Sequence, residues 1–193
     1  MAFTIESKHL NGVLILCPQV FEDERGFFME VYREDLFKAL GISSIFLQDN
    51  HSRSAKNVLR GLHFQWNPPQ GKLVRVTYGQ AFFAIVDIRK ESPTVGKWVS
   101  VELSDENKKF IFVPPGFANG FCALSDFVEV QYKCTNIYNK KCEGSILWND
   151  SAIGIKWPIQ NPIISNRDSN GITLAQWLSS ANANIFKDSD TAK

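Results

Sequence analysis

Residues 58–88 read VLRGLHFQWNPPQGKLVRVTYGQAFFAIVDI, three apolar runs separated by two turn-forming clusters. Asn67-Pro68-Pro69 and Tyr78-Gly79-Gln80 each interrupt the run before them, because proline has no amide hydrogen for a strand ladder and glycine accepts positive φ. Strands are therefore predicted at 58–66, 72–78 and 81–88. The same rhythm extends outward, with further strands predicted at 13–17, 26–33, 97–103, 109–113, 120–124 and 127–134, punctuated by Ser92-Pro93 and Pro114-Pro115-Gly116. Strands spaced about 8–12 residues apart argue for an all-β sandwich or barrel, and a jelly roll of the cupin type closes such strands over a ligand-sized interior. Helices are few and short: 34–40 (EDLFKAL), with acids in its first turn and Gly41 as its stop, and a second near 172–178.

The chain of 193 residues suits a single domain, expected over 1–180 and followed by a polar, flexible tail at 181–193. With 21 basic and 20 acidic residues, the net charge of +1 supplies no field to hold nucleic acid or an anionic membrane. A 44% hydrophobic content with 15 Phe excludes a disordered chain. No apolar stretch approaches the ~20 residues of a membrane span, and no basic-then-apolar signal segment opens the chain, so a cytoplasmic protein is expected. Cys17, Cys122, Cys134 and Cys142 lack any compact ligand spacing and read as reduced thiols. Residues 81–86 are apolar on both faces, which favours a dimer through sheet packing, with a long covering loop as the alternative.

His9, His51 and His63 are the only histidines, too few for an imidazole cluster. His63 lies mid-strand and must satisfy two ring nitrogens away from bulk water, as a structural histidine or as a base. The turn at 67–71 returns Lys72 beside it. Arg60, Lys72 and Arg75 then form either a seat for a phosphorylated anion or a solvated cationic face. Strict alternation puts Arg60 and His63 on opposite faces, so a shared pocket requires a bulge at Gly61. A cupin metal site would want a second histidine at position 65 and a later ligand near 119. The residues there are Gln65 and Asn119, so neither a metal nor a cofactor is expected. Tyr132 shares a face with Val128, Val130 and Cys134, as a core tyrosine or as a proton donor. On chemistry alone Asp168 is a loop acid.

The motifs NVLRGLHFQ (57–65), QDNHSRS (48–54), QGKLVR (70–75), VDIRKESPTVGKW (86–98), PPGFANGF (114–121), YKCTNIYN (132–139) and ILWND (146–150) together resemble the dTDP-4-dehydrorhamnose 3,5-epimerase family, in register over about residues 5–178. The resemblance implies a metal-free cupin homodimer acting on a nucleoside-diphosphate 4-keto-6-deoxyhexose in deoxysugar biosynthesis of the O-antigen type. A C4 ketone acidifies the protons at C3 and C5. Inversion there needs a base on one face, an acid on the other and a cation near the enolate oxygen. By resemblance His63 is the base, oriented by Asp168; Tyr132 is the acid and Lys72 steadies the enolate. Arg60 would hold the diphosphate, with Gln48, Asp49, Asn50, Tyr138, Glu143 and Arg167 lining the nucleotide and sugar site. Arg25 and Glu30 match positions that complete the site from the neighbouring subunit.

Three positions depart from the family pattern: Asn119 replaces a histidine, Phe83 replaces an aspartate, and Arg167 stands where lysine is more common. The departures leave a C3-only epimerase on a CDP-linked sugar as an alternative, beside a related keto-isomerase and a non-catalytic nucleotide-sugar-binding cupin.

Overall fold

Successive strands of the central segment alternate between two facing sheets. The structure, a computed structural model, describes residues 2–186. In chain order its strands are β1 (Phe3–His9), β2 (Val13–Pro18), β3 (Val20–Asp23), β4 (Gly26–Met29), β5 (Gln48–Ala55), β6 (Val58–Gln65), β7 (Lys72–Tyr78), β8 (Gln80–Asp87), β9 (Trp98–Ser104), β10 (Phe110–Val113), β11 (Phe117–Ala123), β12 (Phe127–Cys134), β13 (Glu143–Ser145) and β14 (Ile163–Ile164). Helix α1 (Glu34–Ala39) precedes β5, while α2 (Asn166–Ser169) and α3 (Leu174–Ser179) follow β14. The first sheet runs β1-β2-β10-β7-β12-β5. The second runs β13-β6-β11-β8-β9, with β14 added in parallel on β6. The architecture is the all-β sandwich expected from the strand spacing.

Between the sheets lie Val74, Val76, Val128 and Val130 of β7 and β12, packed against Phe83, Ile85, Phe117 and Phe121 of β8 and β11. The outer face of the first sheet is covered by Phe37 of α1 and by Ile42, over Leu16, Leu73 and Phe110. The outer face of the second sheet is covered by Leu174 and Trp177 of α3 with Ala183 and Phe186, over Phe64, Ala84 and Val86. The doubly apolar strand is thus covered by the chain's own C-terminal segment rather than by a second subunit. Residues 181–186, assigned by composition to a polar tail, are packed. Ala181–Ile185 form a 3-10 turn, with Ala183 and Phe186 buried. The remainder of the expected tail, 187–193, lies outside the described residues. No helix among the described residues is long and apolar enough to cross a membrane.

The sequence pattern missed β1, β3, β5, β13 and β14 and placed one strand too long. Residues 26–33 form a strand only to Met29, in an exposed hairpin with β3. Strand β5 (QDNHSRSA) has no apolar alternation because it is the edge of its sheet, paired only with β12.

Between β6 and β11 the register changes: Asn119 pairs with His63 and Phe121 with Arg60, so three steps on β6 face two on β11. The extra residue is the bulge that alternation required, and it turns Arg60 and His63 toward one interior. Gly61 permits it with φ +130°; a Cβ there would sit 2.5 Å from the Gly120 Cα. Gly61→Ala is expected to lower stability by about 3 kcal/mol and Tm by roughly 10 °C. Thermal unfolding by circular dichroism checks this, and an unchanged Tm would contradict it.

Candidate active site

A cavity of about 280 Å³ opens between the sheets. Strand β6 contributes Arg60 and His63, β7 Lys72 and Val74, β8 Phe83, β11 Asn119 and Phe121, and β12 Val130 and Tyr132; Ser52 of β5, Tyr138, Glu143 and Arg167 complete the lining. His63 comes from one sheet, Lys72 and Tyr132 from the other. A ligand between them is contacted on both faces.

His63 donates from Nε2 to Asp168 Oδ1 at 2.6 Å, leaving Nδ1 with its lone pair. The imidazole is 24% exposed, whereas the carboxylate is 3% exposed. Asp168 is fixed from three directions. Its own amide donates to Ser165 Oγ, the N-cap of α2, at 3.1 Å; its Oδ2 accepts from the Gly61 amide at 3.3 Å; and Ser145 Oγ donates to Oδ1 at 3.5 Å. Burial opposes ionisation of Asp168, but the hydrogen bond and electrostatic interaction with His63 and the Gly61 and Ser165 contacts outweigh it. The carboxyl is held below its ordinary 3.8.

A depressed carboxyl pKa stabilises the fold above the ordinary carboxylate range, and that contribution is lost as pH falls through the lowered value. Asp168→Asn is therefore expected to flatten the acid limb of the stability curve. It should also lower turnover at least about 10²-fold, because an amide can enforce the wrong imidazole tautomer. Unfolding midpoints between pH 2 and 7, with rates at pH 7, measure both. An unaltered acid limb would contradict the assignment.

Burial raises the Tyr132 phenol above its usual value, with Cys134 and Glu143 adding to the effect and Arg60 opposing it, so the group is protonated at neutral pH. Burial pushes the Lys72 ammonium downward; Cys134 and Glu143 oppose that shift, and its Nζ sits 5.7 Å from the Tyr132 ring centroid. At the mouth, Glu143 Oε2 accepts from Arg167 at 2.7 Å and from the Tyr138 hydroxyl at 2.8 Å. Burial works against the Glu143 carboxylate, yet these two bonds hold its pKa below the usual range. The network continues as the Tyr138 amide donates to Gln48, Gln48 to Asn50 and Asn50 to Cys134 Sγ. Arg60 donates to Ser54 Oγ at 3.0 Å.

Not every expected residue faces the cavity. Asp49 points to the opposite side of β5, paired with Lys133 at 2.8 Å. Arg75 likewise leaves the His63 group and donates to Gln131 at 2.9 Å. Both follow from alternation, since Asp49 lies between two inward residues and Arg75 is three positions from Lys72. Arg25 and Glu30 do not line this chain's cavity; Arg25 sits on the β3–β4 turn beside Asp23 and Glu30 lies near Arg33. Gln65 is committed elsewhere, donating to the carbonyls of Pro68 and Ile137 and accepting from the Asn139 amide. Asn119 donates to the His63 carbonyl at 3.0 Å. Ser52, Ser145 and Ser165 were not singled out by sequence. Ser165 had a local signal, an acid three residues after a serine, which is an N-cap spacing.

The sequence model of the dTDP-4-dehydrorhamnose 3,5-epimerase family matches residues 7–176. The chain is 56% identical over 164 residues to the dTDP-4-dehydrorhamnose 3,5-epimerase of Shigella flexneri, covering 84% of this chain and 91% of that one. It is 57% identical over 172 residues to that of Salmonella typhimurium, covering 88% and 94%. Its fold matches the crystal structure of dTDP-6-deoxy-D-glucose-3,5-epimerase from Legionella pneumophila Philadelphia 1 in complex with dTDP-4-keto-L-rhamnose. There the TM-score is 0.89 at 42% identity, over 94% of this chain and 96% of that one.

Proposed function

The chain belongs to the dTDP-4-dehydrorhamnose 3,5-epimerase family and is an isomerase, and from that premise we propose that it epimerises a dTDP-linked 4-keto-6-deoxyhexose at C3 and C5, next to the ketone. The observation that carries the reading is the His63–Asp168 pair on one wall of the cavity with Tyr132 and Lys72 on the other. His63 Nδ1 takes the proton from the carbon, and the C–H electron pair moves into an enolate whose oxygen faces the Lys72 ammonium. The Tyr132 hydroxyl then gives its proton to the opposite face, and solvent restores both groups. Arg60 holds the diphosphate. Gln48, Asn50 and Tyr138 border the nucleoside, and the Glu143–Arg167 pair closes the mouth. Such a step belongs to deoxysugar biosynthesis for a surface polysaccharide and takes place in the cytoplasm, where nucleotide sugars are made.

Proton NMR of products from dTDP- and CDP-linked substrates tests this. Inversion at both centres of the dTDP sugar, with the ketone still at C4, is the expected result. A ketone moved to C3 would indicate the keto-isomerase, and no change at any carbon the binding protein. One observation favours the narrower C3-only reading: Phe83 is apolar and buried, and the Asn119 amide nitrogen is already bonded to the His63 carbonyl, so that wall has no ionisable group. Inversion at C3 alone, on the CDP sugar, would establish that reading.

The same family premise supports a homodimer whose sites are completed across the interface. The β3–β4 hairpin exposes Phe21, Phe27 and Phe28 and carries Arg25 at its turn; Glu30 follows it. Replacing Phe27 and Phe28 together by Asp is expected to weaken dimerisation about 100-fold and to lower activity with it. Sedimentation equilibrium measures this, and an intact dimer would remove the hairpin from the interface.

A further inference from the structure

One patch of the cavity lining is aromatic. Phe83 and Phe121, paired across β8 and β11 and only 3% and 8% exposed, stack with ring centroids 5.2 Å apart and planes 30° from parallel. Val74 and Val130 of the facing sheet also line the cavity. The polar groups that would handle the ketone and the diphosphate, His63, Tyr132, Lys72 and Arg60, lie on the remaining surface.

We infer that this aromatic wall is the seat of the C6 methyl group and makes Phe83 and Phe121 the residues that select a 6-deoxy sugar over its 6-hydroxy counterpart. The inference rests on the epimerase reading. A 4-keto-6-deoxyhexose bears one apolar substituent, its methyl group, so complementarity assigns that substituent to the apolar wall. A hydroxymethyl group in the same place would bury a hydroxyl against two phenyl rings that offer it no hydrogen bond, a loss that apolar pockets typically turn into discrimination of about 10²-fold.

The experiment compares kcat/KM for deuterium incorporation from D2O into dTDP-4-keto-6-deoxyglucose and dTDP-4-ketoglucose. The wild-type protein is expected to prefer the deoxy sugar by about 10²-fold. Phe83→Asn should reduce the preference below about tenfold, mainly by improving the hydroxylated substrate, while Phe83→Leu should retain it. Phe121→Tyr adds one hydroxyl to the same wall and should shift the ratio in the same direction, which keeps the test available if Phe83→Asn does not fold. Equal rates with both sugars in the wild type would overturn the inference and leave the epimerase reading standing. So would folded Phe83→Asn and Phe121→Tyr proteins with unchanged preference. Exchange with neither sugar would overturn both.

Discussion

His63→Ala is expected to slow deuterium incorporation from D2O into the sugar about 10⁴-fold while leaving affinity for dTDP within threefold. The imidazole is oriented for the task, because its Nε2–H is given to a buried carboxylate at 2.6 Å and the neutral ring then presents Nδ1 as acceptor. Removing it deletes the acceptor for the carbon-bound proton. The cations and the Tyr138–Glu143–Arg167 network that would hold the nucleotide remain in place. Turnover measured by NMR and dTDP binding measured by calorimetry separate the two. Loss of binding parallel to loss of exchange would make His63 a structural residue.

Tyr132→Phe is expected to divide one reaction into two. Proton abstraction by His63 from its own face persists, so deuterium still enters the sugar within about tenfold of the wild-type rate. Inversion requires a donor on the opposite face and should fall about 10³-fold. The phenol suits that task, since burial raises its pKa and keeps its proton in place at neutral pH. It also lies on the sheet facing His63. Phenylalanine fills the same space, so the fold and the nucleotide affinity should hold. The decisive quantity is the ratio of exchange to inversion at each centre. Equal losses in both would place Tyr132 in binding rather than in proton return.

Much of the sandwich was legible because Pro and Gly clusters cut the apolar runs at regular intervals. The edge strand β5 was not, since an edge has only one partner and QDNHSRSA carries no apolar face. The Gly61 bulge was readable from a conflict. Arg60 and His63 could share a cavity only if alternation failed between them, and the register shifts there. Alternation along β5 and β7, which was not applied to Asp49 and Arg75, turns them toward Lys133 and Gln131. The partnership of His63 with Asp168, 105 residues apart, has no local trace except the serine that caps α2. Long-range pairing is decided by how β6 and the C-terminal segment meet, and composition does not encode that meeting. The cover over β8 is a similar case: its two apolar faces required a second layer, but only the folded chain shows that Trp177, Ala183 and Phe186 supply it.

The most direct test is a proton NMR time course of the wild-type protein with dTDP-4-keto-6-deoxyglucose in D2O, following C3 and C5 together. The expected result is deuterium at each centre that inverts, with the ketone fixed at C4. Inversion without deuterium incorporation, or binding without either, would contradict proton transfer through His63 and Tyr132.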